Sequence, residues 1–345
     1  MRSADSLNAD IRPMLEVTVP GAGPVPMASV TSTAVAATLV AACGRGEPLA
    51  GLRASEESTS ERYGFAPATF DASWQVERSE ADFVSAPDDD AMNRLQLVGA
   101  DEVKAVWPAL HERIRTDRIG EVSAYPGRWS SLTDEPSGTD GAVGFVLHRD
   151  RCGVVDGIAR YRVTCSSPKE TAVTAVVEAC ETTNPVAYSA LWRVLLDLDL
   201  TNRIRAPHRP VDEPLRWMLT NPRALRVTNS AVNLCLRILD VPTALQLRSY
   251  GAEARLVLDI SDDLLDHNAG RWEFEATENG ASVARTSARP DVTLDISALG
   301  SMYLGGVGPA ALAAAGRLHQ HSDFAARRLD ELFRQDPAPF SYAGF

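Results

Sequence analysis

The sequence lacks the features that mark membrane-spanning and secreted proteins. No apolar run in its 345 residues reaches the roughly 18 residues that a transmembrane helix needs. The first residues, Met1 to Asp5, are polar and do not form the charged-then-apolar pattern of a secretory signal. We therefore expect a cytoplasmic protein with no membrane partner. The length and the 45% hydrophobic content allow about two or three folded domains.

Cysteine is scarce and irregularly placed. The five cysteines form an odd number, lie far apart and include no Cys-x-x-Cys pair, which disfavours a disulfide framework or a zinc site. Of the six histidines only His319 and His321 lie close together, in a predicted polar loop between helices. We therefore predict no metal site.

The sequence has fewer basic than acidic residues. The 34 Lys and Arg residues are outnumbered by 46 Asp and Glu residues, which gives a formal net charge of −12. Such a surface repels phosphate backbones, so no nucleic acid partner is expected. It attracts cations and amino-substituted small molecules, although an ordinary solvated surface can carry the same charge.

Self-contained catalytic motifs are also missing. The sequence has no GxGxxG, no P-loop, no HExxH and no GxSxG pattern. Local motifs therefore do not identify an enzyme class, and the organisation of the whole chain must be considered.

The pattern of apolar residues divides the chain into three segments, 1–85, 86–228 and 229–345. The first two have an α/β rhythm, with strands predicted over Met14–Val19 and Met27–Val35 and a helix that opens at Asn184-Pro185. The third reads as an α+β module because antiparallel strands precede a run of helices. Its predicted elements are a hairpin turning at Asn279-Gly280, a strand over Val292–Ile296, and helices over Ser297–Leu304, Pro309–Leu318 and Ser322–Arg334.

Several blocks of residues stand in the order found in one protein family. Five of them are Gly46-Glu-Pro-Leu-Ala-Gly-Leu-Arg-Ala-Ser-Glu56, Glu61-Arg-Tyr-Gly-Phe-Ala-Pro-Ala-Thr69, Ala190-Leu-Trp-Arg-Val-Leu-Leu-Asp-Leu-Asp199, Leu236-Arg-Ile-Leu-Asp-Val-Pro-Thr-Ala-Leu245 and Leu332-Phe-Arg-Gln-Asp-Pro-Ala-Pro-Phe340. From about Glu16 onward the chain resembles the enhanced intracellular survival protein family, which are GNAT acetyltransferases of actinobacteria.

The resemblance implies a fold and an activity. The fold is α/β plus α+β: a GNAT domain, incomplete here, then a second GNAT-like domain and a C-terminal domain similar to sterol carrier protein. The family transfers acetyl groups from acetyl-CoA to amines of aminoglycosides or lysine side chains, and it assembles as hexamers. We therefore expect acetyl-CoA as cofactor, a small-molecule amine acceptor and self-association.

The resemblance also assigns site residues. The α-carboxylate of Phe345 stands where the family's general base stands, and Ser60 stands where the family has a tyrosine as general acid. A serine hydroxyl is a far weaker acid than a phenol, so Ser60 is a poor substitute. Acetyl-CoA is expected at the strand Thr33-Ala34-Val35 and at Ser55, although the polar residues around Ser55 also fit a solvated turn.

A deletion distinguishes this chain from the family pattern. The family has an arginine- and glycine-rich loop that opens a helix and holds the CoA pyrophosphate. Here Ala36-Ala37-Thr38 runs directly into Leu39 to Ala42, so the loop and most of its helix are expected to be missing. By the same resemblance we expect that about sixty residues, which precede the position of Glu16 in the family, are missing here.

Two functions remain open at this stage. One is an acetyl-CoA-dependent N-acetyltransferase impaired by the missing pyrophosphate loop. The other is a non-catalytic homologue that acts as an oligomeric scaffold or binds a small hydrophobic ligand in its third domain. Acetyl-CoA binding discriminates between them.

Overall fold

The computed structural model describes residues 15–30, 35–53, 61–125, 127–133, 141–165 and 173–343. Within these residues no helix is long and apolar enough to cross a membrane. Their strands, β1 to β15 in chain order, are Leu15–Val19, Gly23–Ser29, Leu49–Leu52, Ala66–Glu77, Leu95–Val98, Ala142–Arg149, Val155–Cys165, Val173–Thr182, Arg203–Pro210, Arg226–Ile238, Ala254–Ser261, Gly270–Thr277, Gly280–Arg285, Val292–Asp295 and Leu318–Gln320. Their α-helices, α1 to α10, are Val35–Gly44, Asp89–Met92, Ala100–Arg115, Arg128–Thr133, Pro185–Leu196, Leu215–Met218, Val241–Leu247, Ile296–Tyr303, Pro309–Ala314 and Ala325–Phe333.

The chain folds into two compact units. The first combines Met1–Phe70, Asp117–Tyr125 and Val232–Phe345, and the second combines Asp71–Thr116 and Pro126–Ala231. The architecture is mixed α/β and α+β, as predicted. The division into three domains at residues 85 and 228 stays a prediction.

One sheet of the first unit has the order β1-β2-β3-β10. Strands β1 and β2 form an antiparallel hairpin, whereas β2 and β3 are parallel. Parallel neighbours need a crossover connection, and α1 supplies it. The carboxyl ends of β2 and β3 therefore lie at the same edge of this sheet.

The crossover corrects two predictions. Strand β2 ends at Ser29 and Val35 is the first residue of α1, so the strand predicted over Met27–Val35 is wrong at its C-terminal end. Alternating Ser and Thr residues imitated the two-residue strand period. The expected loss of most of the following helix is also wrong, since α1 has ten residues and buries Val35, Leu39 and Ala42 on one face.

The second sheet of the first unit has the order β13-β12-β11-β14-β15. The predicted hairpin is confirmed, with β12 and β13 paired from Thr277 and Gly280 onward. Helices α7, α8 and α10 contribute to the same apolar core as this sheet. In that core Phe274, Tyr303 and Phe333 are fully buried, and the Tyr303 hydroxyl donates to the Ala244 carbonyl.

The connection between α9 and α10 in the first unit differs from the prediction. The helix predicted over Pro309–Leu318 ends at Ala314, and Leu318 begins β15. His319 therefore lies in a strand, paired with Thr293 of β14, and not in a loop between helices. Among the described residues no group of three or more His, Cys, Asp and Glu side chains is placed to hold a metal ion.

The second unit contains the strands β4-β9-β8-β7-β6-β5 in that order. Strands β8 and β9 are parallel and α5 connects them. The predicted start of this helix is confirmed, because the Asn184 side chain accepts from the Ala187 amide and Pro185 fills the first position. Its buried face packs Leu191, Trp192 and Leu195 against the sheet.

Candidate functional site

The last described residues of the chain are held in place. Phe340, Ser341 and Ala343 are buried, with at most 4% of each residue exposed. Their partners, which we call the C-terminal dock, belong to the same compact unit: the segment Arg118–Glu121 and Asn233 of β10. Chain ends usually fray. Here the chain is fixed as far as Ala343, two residues before its end.

Glu121 supplies most of the polar contacts in the dock. Its carboxylate is fully buried. One oxygen accepts from the Ser341 hydroxyl and from the Ala343 amide, both at 2.9 Å, and the other accepts from the Tyr342 amide at 2.9 Å. Burying a carboxylate is costly unless donors satisfy it, and the tail provides these donors.

Asn233 holds the tail from β10. Its carboxamide oxygen accepts from the Ser341 amide at 3.2 Å, and its carboxamide nitrogen donates to the Ser341 carbonyl at the same distance. The Thr69 hydroxyl donates to the same oxygen at 2.9 Å, which orients the carboxamide. Both backbone groups of Ser341 are thus satisfied by one side chain.

An aromatic contact adds apolar burial. The guanidinium of Arg118 lies 5.1 Å from the ring centre of Phe340 and 5.2 Å from that of Tyr342. The two rings meet edge to face, with their centres 4.9 Å apart. Arrangements of this kind contribute about 0.5–1.5 kcal/mol each. The Ile119 carbonyl accepts from the Phe340 amide at 3.0 Å and completes the contact.

Two glycines allow the close approach of the tail. A Cβ atom at Gly120, whose φ is +84°, would lie 3.2 Å from the Phe340 amide nitrogen. A Cβ atom at Gly306 would overlap the Ala68 carbonyl and lie 3.2 Å from the Pro339 side chain. Larger residues at these positions would displace the chain on which the dock depends.

The β2–α1–β3 crossover is the second component of the site. The Val30 amide donates to the Gly51 carbonyl at 3.0 Å and extends the parallel pairing to the end of β2. Ser29, 7% exposed, carries a buried hydroxyl without a hydrogen-bond partner among the described residues. From Val35 onward, where its description begins, the first turn of α1 contains no acidic residue that would oppose an anion there.

The corresponding crossover of the second unit has a carboxylate next to the N-terminus of its helix. The side chain of Asn184 caps the start of α5 and also donates to the Asp156 carboxylate at 2.8 Å. Asp156 in turn lies 2.6 Å from His148 Nδ1. A carboxylate beside the helix N-terminus would repel a pyrophosphate. Of the two crossovers, the one in the first unit is the better candidate for CoA.

The turn that follows Ser60 in the sequence is held by contacts with Arg237. The Gly64 amide donates to the Glu61 carbonyl at 2.8 Å, and Gly64 has a φ of +78°. The Arg237 guanidinium packs against Gly64 so closely that a Cβ atom there would overlap it. Arg237 is fully buried and pairs with Asp262. Burial alone would raise the pKa of Asp262, but hydrogen bonds from Arg237 and Asn268 and the charge of Arg237 lower it below its ordinary value.

A buried charged cluster lies in the second unit. Glu181 Oε2 is 3.4 Å from His111 Nδ1, and Glu181 Oε1 is 3.2 Å from the Arg128 guanidinium. All three residues are at least 96% buried. Burial alone would raise the pKa of Glu181, yet the contact with His111 and the charges of Arg128 and His111 lower it. Both carboxylate oxygens of Glu181 therefore have a partner inside the second unit.

Most predicted site residues fall outside the described part of the chain: Thr33, Ala34, Ser55, Ser60 and Phe345. Val35 is described and begins α1 instead of ending a strand. The sequence analysis missed Glu121, Asn233 and Arg118. No local signal marks them, because the partners of Glu121 lie more than two hundred positions further along the chain.

Comparisons with known proteins identify two domain types in the chain. The model of the GNAT acetyltransferase domain matches residues 121–238, and the model of the sterol carrier protein domain matches residues 241–342. An uncharacterised N-acetyltransferase of Streptomyces coelicolor is 36% identical over 95% of this chain and 83% of its own length. The N-acetyltransferase Eis of Mycobacterium tuberculosis is 33% identical over 93% of this chain and 81% of its own length.

A solved structure shows the same fold. The crystal structure of Eis1 from Mycobacterium abscessus matches with a TM-score of 0.86 and 32% identity, covering 97% of this chain and 86% of that one. A GCN5-related N-acetyltransferase from Anabaena variabilis, at 18% identity and a TM-score of 0.80, supports the fold alone. The chain therefore belongs to the Eis family of GNAT N-acetyltransferases, which combine a GNAT fold with a C-terminal sterol carrier protein domain.

Proposed function

We propose that the protein transfers the acetyl group of acetyl-CoA to an amine, with the C-terminal carboxylate of Phe345 as the general base. The observation that carries this proposal is the C-terminal dock, which fixes the chain through Ala343. Phe345 follows Ala343 by only two residues, so we propose that the dock brings its carboxylate to the site. A chain end with no role would not need so many buried contacts.

The terminal carboxylate suits the role of base. Its ordinary pKa is about 3.3–3.7, so it is ionised at neutral pH. It can attract the ammonium form of an acceptor and accept a proton as the amine attacks. The Ser60 hydroxyl would be the proton donor to the departing thiolate, and its weak acidity predicts slow turnover.

Acetyl-CoA would supply the acetyl group at the carboxyl edge of β2 and β3. Support comes from the Ser29 hydroxyl, which has no hydrogen-bond partner in the described part of the chain, and from the N-terminal turn of α1. The fit is incomplete, because residues 30–44 contain no Lys or Arg to balance the pyrophosphate charge. Charge-assisted hydrogen bonds are worth about 1.5–3 kcal/mol each, so losing two weakens binding by about a hundredfold or more. We therefore propose an enzyme with reduced CoA affinity.

The acceptor is a small, positively charged amine. The net charge of −12 favours cationic molecules over anionic ones. Amines of the aminoglycoside type and lysine side chains, which the family resemblance implies, both meet this requirement. We also propose that the protein self-associates, up to a hexamer, as the family resemblance implies.

The proposal is tested by turnover of chain-end variants. Acetylation of a panel of amines is measured by release of the CoA thiol and by product mass. Deleting Phe345 should lower kcat by about 10²-fold or more, the usual contribution of a general base. Phe345→Leu, which keeps a carboxylate at the same chain position, is the matched control and should retain most of the activity. Equal activity of the deletion and the full-length chain would contradict the proposal.

A further inference from the structure

We infer that Glu121 is a positioning residue that acts through the C-terminal tail: it fixes the register of Ser341 to Ala343, the last described residues before Phe345. The inference rests on the proposed function for its catalytic consequence, but the geometric claim can be tested by itself. Glu121 does not need to contact the reacting atoms. It acts through the Ser341 hydroxyl and the backbone amides of Tyr342 and Ala343.

The contacts of Glu121 define the register of the tail. Consecutive donors from Ser341, Tyr342 and Ala343 share one carboxylate. Sliding the tail by one residue would place a different set of side chains and amides against the same oxygens. The last link, from Ala343, is a hydrogen bond of 2.9 Å to Glu121 Oε1.

The aromatic contact of Arg118 with Phe340 and Tyr342 cannot define the register of the tail. Arg118 lies about equally far from the rings of Phe340 and Tyr342, at 5.1 and 5.2 Å, and such stacking tolerates small rotations of the rings. It contributes burial, whereas charge-assisted hydrogen bonds to a fixed carboxylate impose distance and direction. Asn233 holds Ser341 alone and leaves the next two residues to Glu121.

Glu121 is itself held rigidly. Its own segment pairs with β1: the Thr18 amide donates to the Glu121 carbonyl at 2.9 Å, and the Gly120 amide donates to the Thr18 carbonyl at 2.8 Å. The Val122 amide also donates to the Glu121 carboxylate at 3.3 Å. The carboxylate is therefore fixed by the sheet, and the tail takes its position from it.

Glu121→Gln is the direct test, because the amide keeps the size but presents a donor to tail amides that need an acceptor. The first readout is release of Phe345 by carboxypeptidase A. We expect the variant to lose Phe345 at least about tenfold faster than the wild type, as local opening becomes easier. Glu331→Gln, on the exposed face of α10, is the control and should behave as the wild type. An unchanged release rate would overturn the inference.

The second readout is turnover. Misplacing a catalytic group by about 1 Å can cost about 10²-fold, so kcat should fall strongly while KM for acetyl-CoA changes little. In the Phe345-deleted chain the same substitution should cause no further loss, because its effect acts through the tail. An additive loss in that background would show a general structural defect and would overturn the inference.

A third variant covers the case in which Glu121→Gln does not fold. Ala343→Pro removes the last donor to Glu121 and leaves the buried carboxylate intact. It should also speed the release of Phe345, and failure to do so would count against the inference. If release accelerates in both variants but the wild-type protein acetylates no amine, the proposed function fails while the place of Glu121 in the dock stands.

Discussion

Asp262 receives Arg237 through both of its carboxylate oxygens, which lie 2.7 and 2.8 Å from one guanidinium nitrogen. Arg237 stands on β10 of one sheet, and Asp262 follows β11 of the other, within the same compact unit. Arg237 also supports Gly64 in the turn after the Ser60 position. A single buried ion pair therefore links both sheets of this unit to the turn beside the proposed proton donor.

Removing the carboxylate of this pair should destabilise the protein. Asp262→Asn leaves the Arg237 charge buried without its counter-charge, which typically costs about 3–5 kcal/mol. Urea unfolding measures the free energy. The control is Asp259→Asn, since the Asp259–Arg271 pair is partly exposed and 3.5 Å apart; it should cost at most about 1 kcal/mol. Equal losses for both variants would contradict the assigned role of the pair.

Lowering the pH should reduce the unfolding free energy of the protein, because it protonates the buried carboxylate of Glu181 in the second unit. The pKa of this carboxylate is lower in the folded protein than in the unfolded chain. Its stabilisation is complete above the unfolded value of about 4.3 and is lost as the pH falls toward the lower folded value. Between about pH 5 and pH 3 the wild type should lose more unfolding free energy than Glu181→Gln.

The exposed Glu112→Gln variant serves as the comparison, because Glu112 contacts Arg115 at the surface. It should follow the wild-type pH dependence. If Glu181→Gln and the wild type lose stability in parallel, the buried cluster does not carry the acid sensitivity.

Arg248 should contribute to the stability of the sterol carrier protein domain. It is 1% exposed, and its guanidinium donates to the carbonyls of Tyr303 and Phe333, the last residues of α8 and α10. Burial lowers the pKa of Arg248 to about 10. Arg248→Met keeps the apolar stem but leaves both carbonyls without a donor, so we expect a loss of at least about 2 kcal/mol by thermal or urea unfolding. A loss below about 0.5 kcal/mol would show that water replaces the guanidinium.

The acidic surface predicts a salt dependence of turnover. The kcat/KM for an acceptor with several ammonium groups should fall as ionic strength rises, because salt screens long-range attraction. A monoamine acceptor should show a smaller fall. Titrating sodium chloride at constant pH measures both, and identical salt profiles would argue against electrostatic recruitment of the acceptor.

Local chemistry explains which parts of the fold could be predicted. The turn at Asn279-Gly280 and the cap at Asn184 depend on residues within a few positions, and both were predicted correctly. The helical conformation of Val35 was missed because alternating Ser and Thr residues before it match the period of a strand, whereas the burial of Val35, Leu39 and Ala42 on one helix face is a property of the folded protein. The contact between Glu121 and Ala343 joins residues 222 positions apart, and no local pattern encodes it.

Calorimetric titration of acetyl-CoA into the full-length protein and into the Phe345-deleted chain tests the central claim most directly. The account predicts saturable binding by both chains, with a Kd toward the upper end of the usual range of about 1 μM to 1 mM, and acetylation by the full-length chain alone. Absence of binding at millimolar acetyl-CoA, or equal acetylation by both chains, would contradict it.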